Sequence, residues 1–297
     1  MYKLHGYIMY KNLLKILFFI AILLPISSCS KAERLDSEID NTLNPSLAFE
    51  AFNLAYGAHP RQILDVYLPA GRSADTKTLL LLHGGGWSSG DKSSMTPIVG
   101  LIQKDLPHLA IVNMNYRLAD ANTSPFPMQI EDITAAVDFL KENNVLYNIS
   151  ENMGFIGTSA GAQLALLWCY AFNTDNQAKM VCSIVGPTNF TDPAYLENTS
   201  EDMQQLLATL GNNLSNEYLE SVSPLHQVTT SAPPTILFYG GMDPLIPISQ
   251  GLDLRDKLKQ LEVEHEFTLY ENAGHGWSGL ELLDTWQKLR LFCEAHL

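Results

Sequence analysis

The chain has 297 residues, 46% of them hydrophobic and 17% charged, with 32 acidic against 18 basic side chains and a net charge of −14. That is ample apolar material for a core, so the composition argues against disorder, and α/β or barrel folds of this length commonly form one domain. The same numbers exclude collagen, a coiled coil, a polytopic membrane protein and a disulfide-dense miniprotein; with no basic face for phosphates, no nucleic-acid partner is expected.

Lys3, Lys11 and Lys15 precede an uncharged apolar run from Ile16 to Ile26, which closes on Ile26-Ser27-Ser28-Cys29. A charged start, a short apolar stretch and a small-residue site form an export signal. The run is too short to span a bilayer, and Pro25 interrupts a helix. A Cys directly after Ile-Ser-Ser resembles the bacterial lipoprotein signal, in which that Cys becomes the lipidated N-terminus. An ordinary secretory signal with an accidental Cys is the alternative. The expected organisation is a signal over 1–28, a tether over 29–46 and a domain over 47–297. Cleavage removes three Lys and no acid, leaving 15 basic against 32 acidic residues, or −17. The expected location is outside the cytoplasm, tethered to a bacterial membrane (the outer one by preference) through Cys29 only.

From about Leu47 short apolar runs alternate with helical patterns. The runs are Ile63–Leu68, Thr78–Leu82, Ala110–Asn115, Met153–Ile156, Met180–Val185, Thr235–Tyr239 and Glu264–Tyr270. The helical patterns cover Ile130–Glu142, Ala160–Tyr170, Ser249–Gln260 and Gly279–Ala295, with apolar residues at i, i+3 and i+4. Strands alternating with helices predict an α/β fold with a mostly parallel sheet covered on both faces. Pro187–His226 breaks the rhythm with polar helical patches and no strand, which predicts an insertion over the sheet. Cys169, Cys182 and Cys293 lie far apart in apolar segments. They have no metal-ligand spacing and read as buried thiols, a disulfide between two of them staying open. No metal and no cofactor is expected.

In such sheets ligands bind at the carboxyl ends of strands. After Met153–Ile156 comes Gly157-Thr158-Ser159-Ala160-Gly161, then an apolar helix. Gly-x-Ser-x-Gly between strand and helix is a nucleophile elbow, a turn sharp enough to lift the Ser hydroxyl above the sheet. After Thr78–Leu82 comes His83-Gly84-Gly85-Gly86-Trp87. Consecutive glycines leave backbone N–H groups free to face a developing oxyanion. A phosphate loop would end in Gly-Lys-Ser/Thr, and Trp87-Ser88 does not.

With these two motifs on separate strand ends, the chain resembles α/β-hydrolases of the carboxylesterase, hormone-sensitive-lipase-like and feruloyl-esterase-like kind, from about Leu47 to Leu297. Leu64-Asp65-Val66-Tyr67-Leu68-Pro69, Gly90-Asp91-Lys92 and Asn115-Tyr116-Arg117-Leu118 fit the same pattern, as do Phe126-Pro127 and Glu131-Asp132. The resemblance implies about eight strands, with residues 187–226 forming part of a small helical cap. It also implies a triad in the chain order Ser, acid, His. Asp243, after Thr235–Tyr239, and His275, after Glu264–Tyr270, stand where the family places acid and base around Ser159. Gly85, Gly86 and Ala160 are the expected oxyanion-hole donors. Two readings stay open: Asp243 as a cap for the helix near Ile248, and Glu271 as the acid. His83 is expected to brace the glycine turn, and Trp87 and Trp277 either line the acyl pocket or pack. The implied activity is a serine esterase acting on short-acyl esters, small or glycan-linked. An amidase such as a formamidase, or a catalytically silent binding protein on the same fold, is the alternative.

Overall fold

The computed structural model describes residues 43–211 and 214–297. The expected export signal, the lipidated Cys29 and most of the tether lie outside the described residues. Among the described residues eight strands form one sheet: β1 (Phe49–Ala55), β2 (Ile63–Leu68), β3 (Thr78–Leu82), β4 (Ala110–Met114), β5 (Met153–Thr158), β6 (Ala178–Ile184), β7 (Thr235–Gly240) and β8 (His265–Tyr270). Their spatial order is β1-β2-β4-β3-β5-β6-β7-β8. The β1/β2 and β2/β4 pairs are antiparallel and every other pair is parallel. This is the mostly parallel, eight-stranded α/β-hydrolase sheet that the sequence predicts. The first strand, Phe49–Ala55, carries no continuous apolar run and is an addition to that prediction.

Alternation along each strand divides the core in two. On β3, Leu80 and Leu82 face one side, where they join Ile133 and Val137 of α2 (Met128–Tyr147), Leu164 of α3 (Ala160–Ala171) and Leu254 of α8 (Ile248–Gln260). Leu79 and Leu81 face the other side with Ile102 of α1 (Thr96–Asp105) and Phe292 of α9 (Leu280–His296). Five buried residues in a row on β3 are what a strand covered on both faces requires. Helix α2 outruns the predicted 130–142 by a turn at its end. It stops at Asn148, which adopts a left-handed conformation with φ 52° and ψ 56°, a terminus that Asn tolerates.

Between β6 and β7 runs the segment expected to form an insertion; its described residues hold four short helices, α4 (Pro193–Leu196), α5 (Glu201–Thr209), α6 (Asn216–Ser221) and α7 (Pro224–Gln227). Met203, Leu207 and Leu210, apolar residues at helical spacing with Leu206, are buried, so this apolar patch packs the insertion onto the domain. Gln250 on α8 fastens its root. Its Oε1 accepts from the Thr188 and Asn189 N–H groups at 2.8 and 2.7 Å, and its amide donates to Asp192 Oδ2 at 2.8 Å.

Asp132 on α2 ties together two loops above the sheet. Its buried carboxylate accepts from the Gln62 amide at 2.8 Å, from the Arg117 N–H at 2.7 Å and from the Arg117 guanidinium at 2.7 Å. Removing the carboxylate leaves these donors unpaired, and the Arg117 side chain is only 27% exposed. Asp132→Ala should therefore destabilise the fold by about 3 kcal/mol, at the lower end for a broken buried pair because water still reaches Arg117. Urea denaturation would read this, and a loss under about 1 kcal/mol would contradict it.

Candidate active site

Ser159 closes β5 and opens α3 in the strained conformation φ 52°, ψ −122°. Only a turn this abrupt presents the side chain above the strand ends. Its N–H donates to Ile184 C=O at 2.8 Å, extending the β5/β6 ladder, and its carbonyl accepts from the Ala162 and Gln163 N–H groups at 2.9 and 3.1 Å. Gly161 lies so close to the Leu82 and His83 carbonyls that a Cβ would collide with them. The second glycine of the elbow is thus set by how tightly α3 presses on the end of β3.

The loops after β7 and β8 bring two more side chains to the same point. The Asp243 side chain is buried, 1% exposed, and that of His275 is partly open at 25%. His275 Nδ1 donates to Asp243 Oδ2 at 2.7 Å, and the Ser159 hydroxyl donates to His275 Nε2 at 2.9 Å. The other carboxylate oxygen, Oδ1, accepts from the Leu245 and Ile246 N–H groups at 2.8 and 3.0 Å. Asp243 therefore shapes its own turn, while α8 takes Pro247 as its N-cap residue. Glu271 is exposed, and the carboxylate within hydrogen-bonding distance of His275 belongs to Asp243.

The loop after β3 faces this line. Gly84, Gly85 and Gly86 border a cavity of about 790 Å³ that also contains Ser159 and His275. Gly85 has φ 126°, and a Cβ there would strike the Ser89 carbonyl, so neither the turn nor the space admits a side chain. Ala160 begins α3, and its N–H is among those that have no intrahelical acceptor. The structure thus brings Ser159, Asp243, His275, Gly85, Gly86 and Ala160 to one end of the sheet. Cys29 lies outside the described residues.

Trp87 and Trp277 belong to packing. Trp87 is buried and donates to Gln163 Oε1 at 3.0 Å, and Trp277 packs on Tyr270 and donates to Thr285 Oγ1 at 2.8 Å. The insertion adds three cavity residues of α5: Gln205 and Thr209, which sequence reasoning did not single out, and Leu206, which it assigned to the packing patch. The i, i+3, i+4 patch around Leu206 was the available signal, but packing alone accounts for its other members. The remaining wall combines apolar Ile98, Ile184 and Leu245 with the hydroxyls of Ser88, Ser89 and Ser94. Among the described residues, His275 is its only ionisable side chain, and no cluster of His, Cys, Asp or Glu could hold a metal. Cys169, Cys182 and Cys293 are free and buried.

A model of the BD-FAE family matches residues 64–258, which include the glycine loop, the elbow and Asp243. The chain belongs to the BD-FAE family. Esterase LipC of Mycobacterium tuberculosis is 24% identical over 249 residues, covering 77% of this chain and 59% of that protein. A kynurenine formamidase of Meyerozyma guilliermondii is 31% identical over 113 residues, 38% of this chain and 40% of that one. The chain therefore spans only about two to three fifths of these curated relatives. A truncated carbohydrate esterase from gut microbiota superposes with a TM-score of 0.69 at 18% identity, covering 84% of this chain and 98% of that one. The shared fold is that of the α/β-hydrolases.

The alternative acids are separable by substitution. Asp243→Asn keeps the side-chain shape but favours the wrong His275 tautomer, so ester turnover should fall on the order of 10⁴-fold. Glu271→Gln should cost less than about tenfold, as expected of an exposed charge. Steady-state rates on a p-nitrophenyl ester would rank the two, and the reverse ranking would move the acid role to Glu271.

Proposed function

We propose that this chain is a serine esterase that hydrolyses carboxylic esters carrying short acyl groups, on neutral small-molecule or glycan-linked alcohols. The observation that carries the proposal is the continuous hydrogen-bonded line from Asp243 through His275 to Ser159, opening on a cavity edged by the glycine loop. A serine hydroxyl is a weak nucleophile at neutral pH. In the proposed reaction Ser159 Oγ attacks the acyl carbon while His275 Nε2 takes its proton, and Asp243 stabilises the resulting imidazolium. The charge forming on the carbonyl oxygen meets the N–H groups of Gly85, Gly86 and Ala160. His275 then protonates the departing alcohol, leaving an acyl group on Ser159. Water, deprotonated by His275, releases the acid and restores the hydroxyl.

A formamidase would use the same three side chains. The wall chemistry favours the ester: an amino-acid substrate such as kynurenine carries an ammonium and a carboxylate, and the described cavity wall has only His275 to meet them. Hydroxyl and amide groups from Ser88, Ser89, Ser94 and Gln205 suit a neutral polyol instead. A non-catalytic binding protein would have no need of Ser, His and Asp in hydrogen-bonded sequence. The short-acyl preference is supported by the insertion, whose buried Met203, Leu207 and Leu210 leave only Leu206 of that patch to the cavity. Delivery to a bacterial membrane through a lipidated Cys29 belongs to the same proposal. No helix among the described residues is long and apolar enough to cross a membrane.

Ser159→Ala should lower hydrolysis of p-nitrophenyl esters by roughly 10⁴–10⁶-fold while leaving the thermal transition in place. The unsubstituted protein should show its highest kcat/KM between acetyl and butyryl. A variant keeping a tenth of the activity would refute the nucleophile, and a maximum at ten carbons or more would make the enzyme a lipase. Cys29→Ser should move the protein from the membrane pellet to the soluble fraction, because acyl chains contribute about 0.8 kcal/mol per buried CH₂ and no other anchor is proposed. Retention in the pellet would contradict the lipid anchor.

A further inference from the structure

Arg61 stands in the turn between β1 and β2, half-buried, and among the described residues it has no acidic partner. Its guanidinium is directed at the base of the glycine loop instead. Nε donates to Tyr116 C=O at 2.9 Å, Nη2 donates to Gly90 C=O at 3.0 Å, and Nη2 also lies 3.4 Å from His83 Nε2. His83 is fully buried, stacked on Tyr116 with ring centroids 4.3 Å apart and planes 12° from parallel, and its Nδ1 is 2.7 Å from Gly84 C=O.

These contacts determine the protonation of the ring. A carbonyl only accepts, so Nδ1 must carry the hydrogen. A guanidinium only donates, so Nε2 must present a bare lone pair. Burial pushes the His83 pKa below the ordinary histidine value; the Gly84 carbonyl pulls the other way, the Arg61 charge lowers it further, and the Asp91 carboxylate raises it by a smaller amount. The neutral Nδ1–H form is the one tautomer that satisfies both neighbours.

The consequence reaches the proposed oxyanion site through the peptide plane. Gly84 C=O and Gly85 N–H belong to one trans peptide and point in opposite directions. Holding the carbonyl against His83 therefore fixes the direction of the Gly85 N–H. The next peptide is held similarly, because Gly85 C=O accepts from Ser89 N–H at 2.9 Å and Ser89 Oγ–H at 2.8 Å, which fixes the Gly86 N–H. We propose that Arg61 is a positioning residue for the oxyanion loop: by donating to Nε2 of His83 it holds the ring whose Nδ1–H fixes Gly84 C=O, and so aims the Gly85 N–H at the reacting carbonyl. This rests on the esterase reading for its kinetic effect, but the tautomer does not.

Two measurements test it. Nitrogen-15 NMR of the histidine rings in the intact protein should show His83 neutral with its hydrogen on Nδ1, and Arg61→Met should raise the pH at which Nε2 is protonated as well. A His83 that carries hydrogen on Nε2 in the unsubstituted protein, or is unaffected by Arg61→Met, overturns the proposal whether or not the protein cleaves esters. In the ester assay Arg61→Met should lower kcat about 10- to 100-fold, part of the loss expected on removing an oxyanion donor, with KM changed less than about threefold. Arg61→Lys, which keeps the charge but not the fork, should fall between. His83→Phe preserves the stacked ring and removes both nitrogens. On that background Arg61→Met should cost less than about threefold, because its effect runs through His83. Equal losses on both backgrounds, or a loss confined to KM, would make Arg61 a structural tie alone. An inactive unsubstituted protein with the expected tautomer would refute the esterase and leave the tautomer assignment supported.

Discussion

Ser159 is held at a backbone conformation that few non-glycine residues adopt, at a cost of about 1–3 kcal/mol, and the surrounding architecture is what keeps it there. The β5/β6 ladder continues one residue past the strand to hold its N–H, and the first turn of α3 holds its carbonyl. Gly161 lets α3 sit against the end of β3, which in turn places the glycine loop beside the serine. At Gly84 a Cβ would come within 3.1 Å of the Ser159 Cβ. Strain in the turn and contact between the two loops are therefore one feature. The parallel strands β3 to β8 suit it, because they deliver their carboxyl ends to the same side.

The polar groups around that turn are satisfied in ways that limit their freedom. The Asp243 side chain is buried yet accepts three hydrogen bonds, two from its own turn and one from His275. The His275 loop is tied down from behind: Trp277 donates to Thr285, Thr285 donates to the Tyr270 hydroxyl, and Tyr270 donates to Asp284. On the opposite wall the glycine loop is held by its carbonyl oxygens, through His83 and Ser89, which leaves its N–H groups directed elsewhere. Preorganised donors of this kind need no rearrangement when charge develops.

Much of this was legible in the sequence because strands buried on both faces appear as short apolar runs, and because sharp turns at their ends demand glycine. Seven of the strands and the elbow could be read that way. Ser159, Asp243 and His275 were picked from motif and chain order, and His275 lies within hydrogen-bonding distance of both of the others. Strand β1 was not legible: it is an edge strand with mostly exposed side chains, and Asn53 at φ 57° interrupts its pairing. Helix α1 was hidden by Pro97 and Gly100, although Pro at a first turn is compatible with a helix. Arg61 gave no signal, since its partners are backbone carbonyls and a histidine distant in sequence. Leu206 shares its helical stripe with core residues, and only the packing of α5 assigns it to the cavity.

The most direct test of the central claim is to find the acyl group itself. A reaction with an acetyl ester, quenched in acid during steady turnover and digested, should yield the peptide containing Gly157-Thr158-Ser159 with an added acetyl mass on Ser159. A hydrolysis-slowing Asp243→Asn background should increase that fraction if deacylation is the step slowed more. Turnover without any acylated Ser159, or with the acetyl group on another residue, would contradict the account.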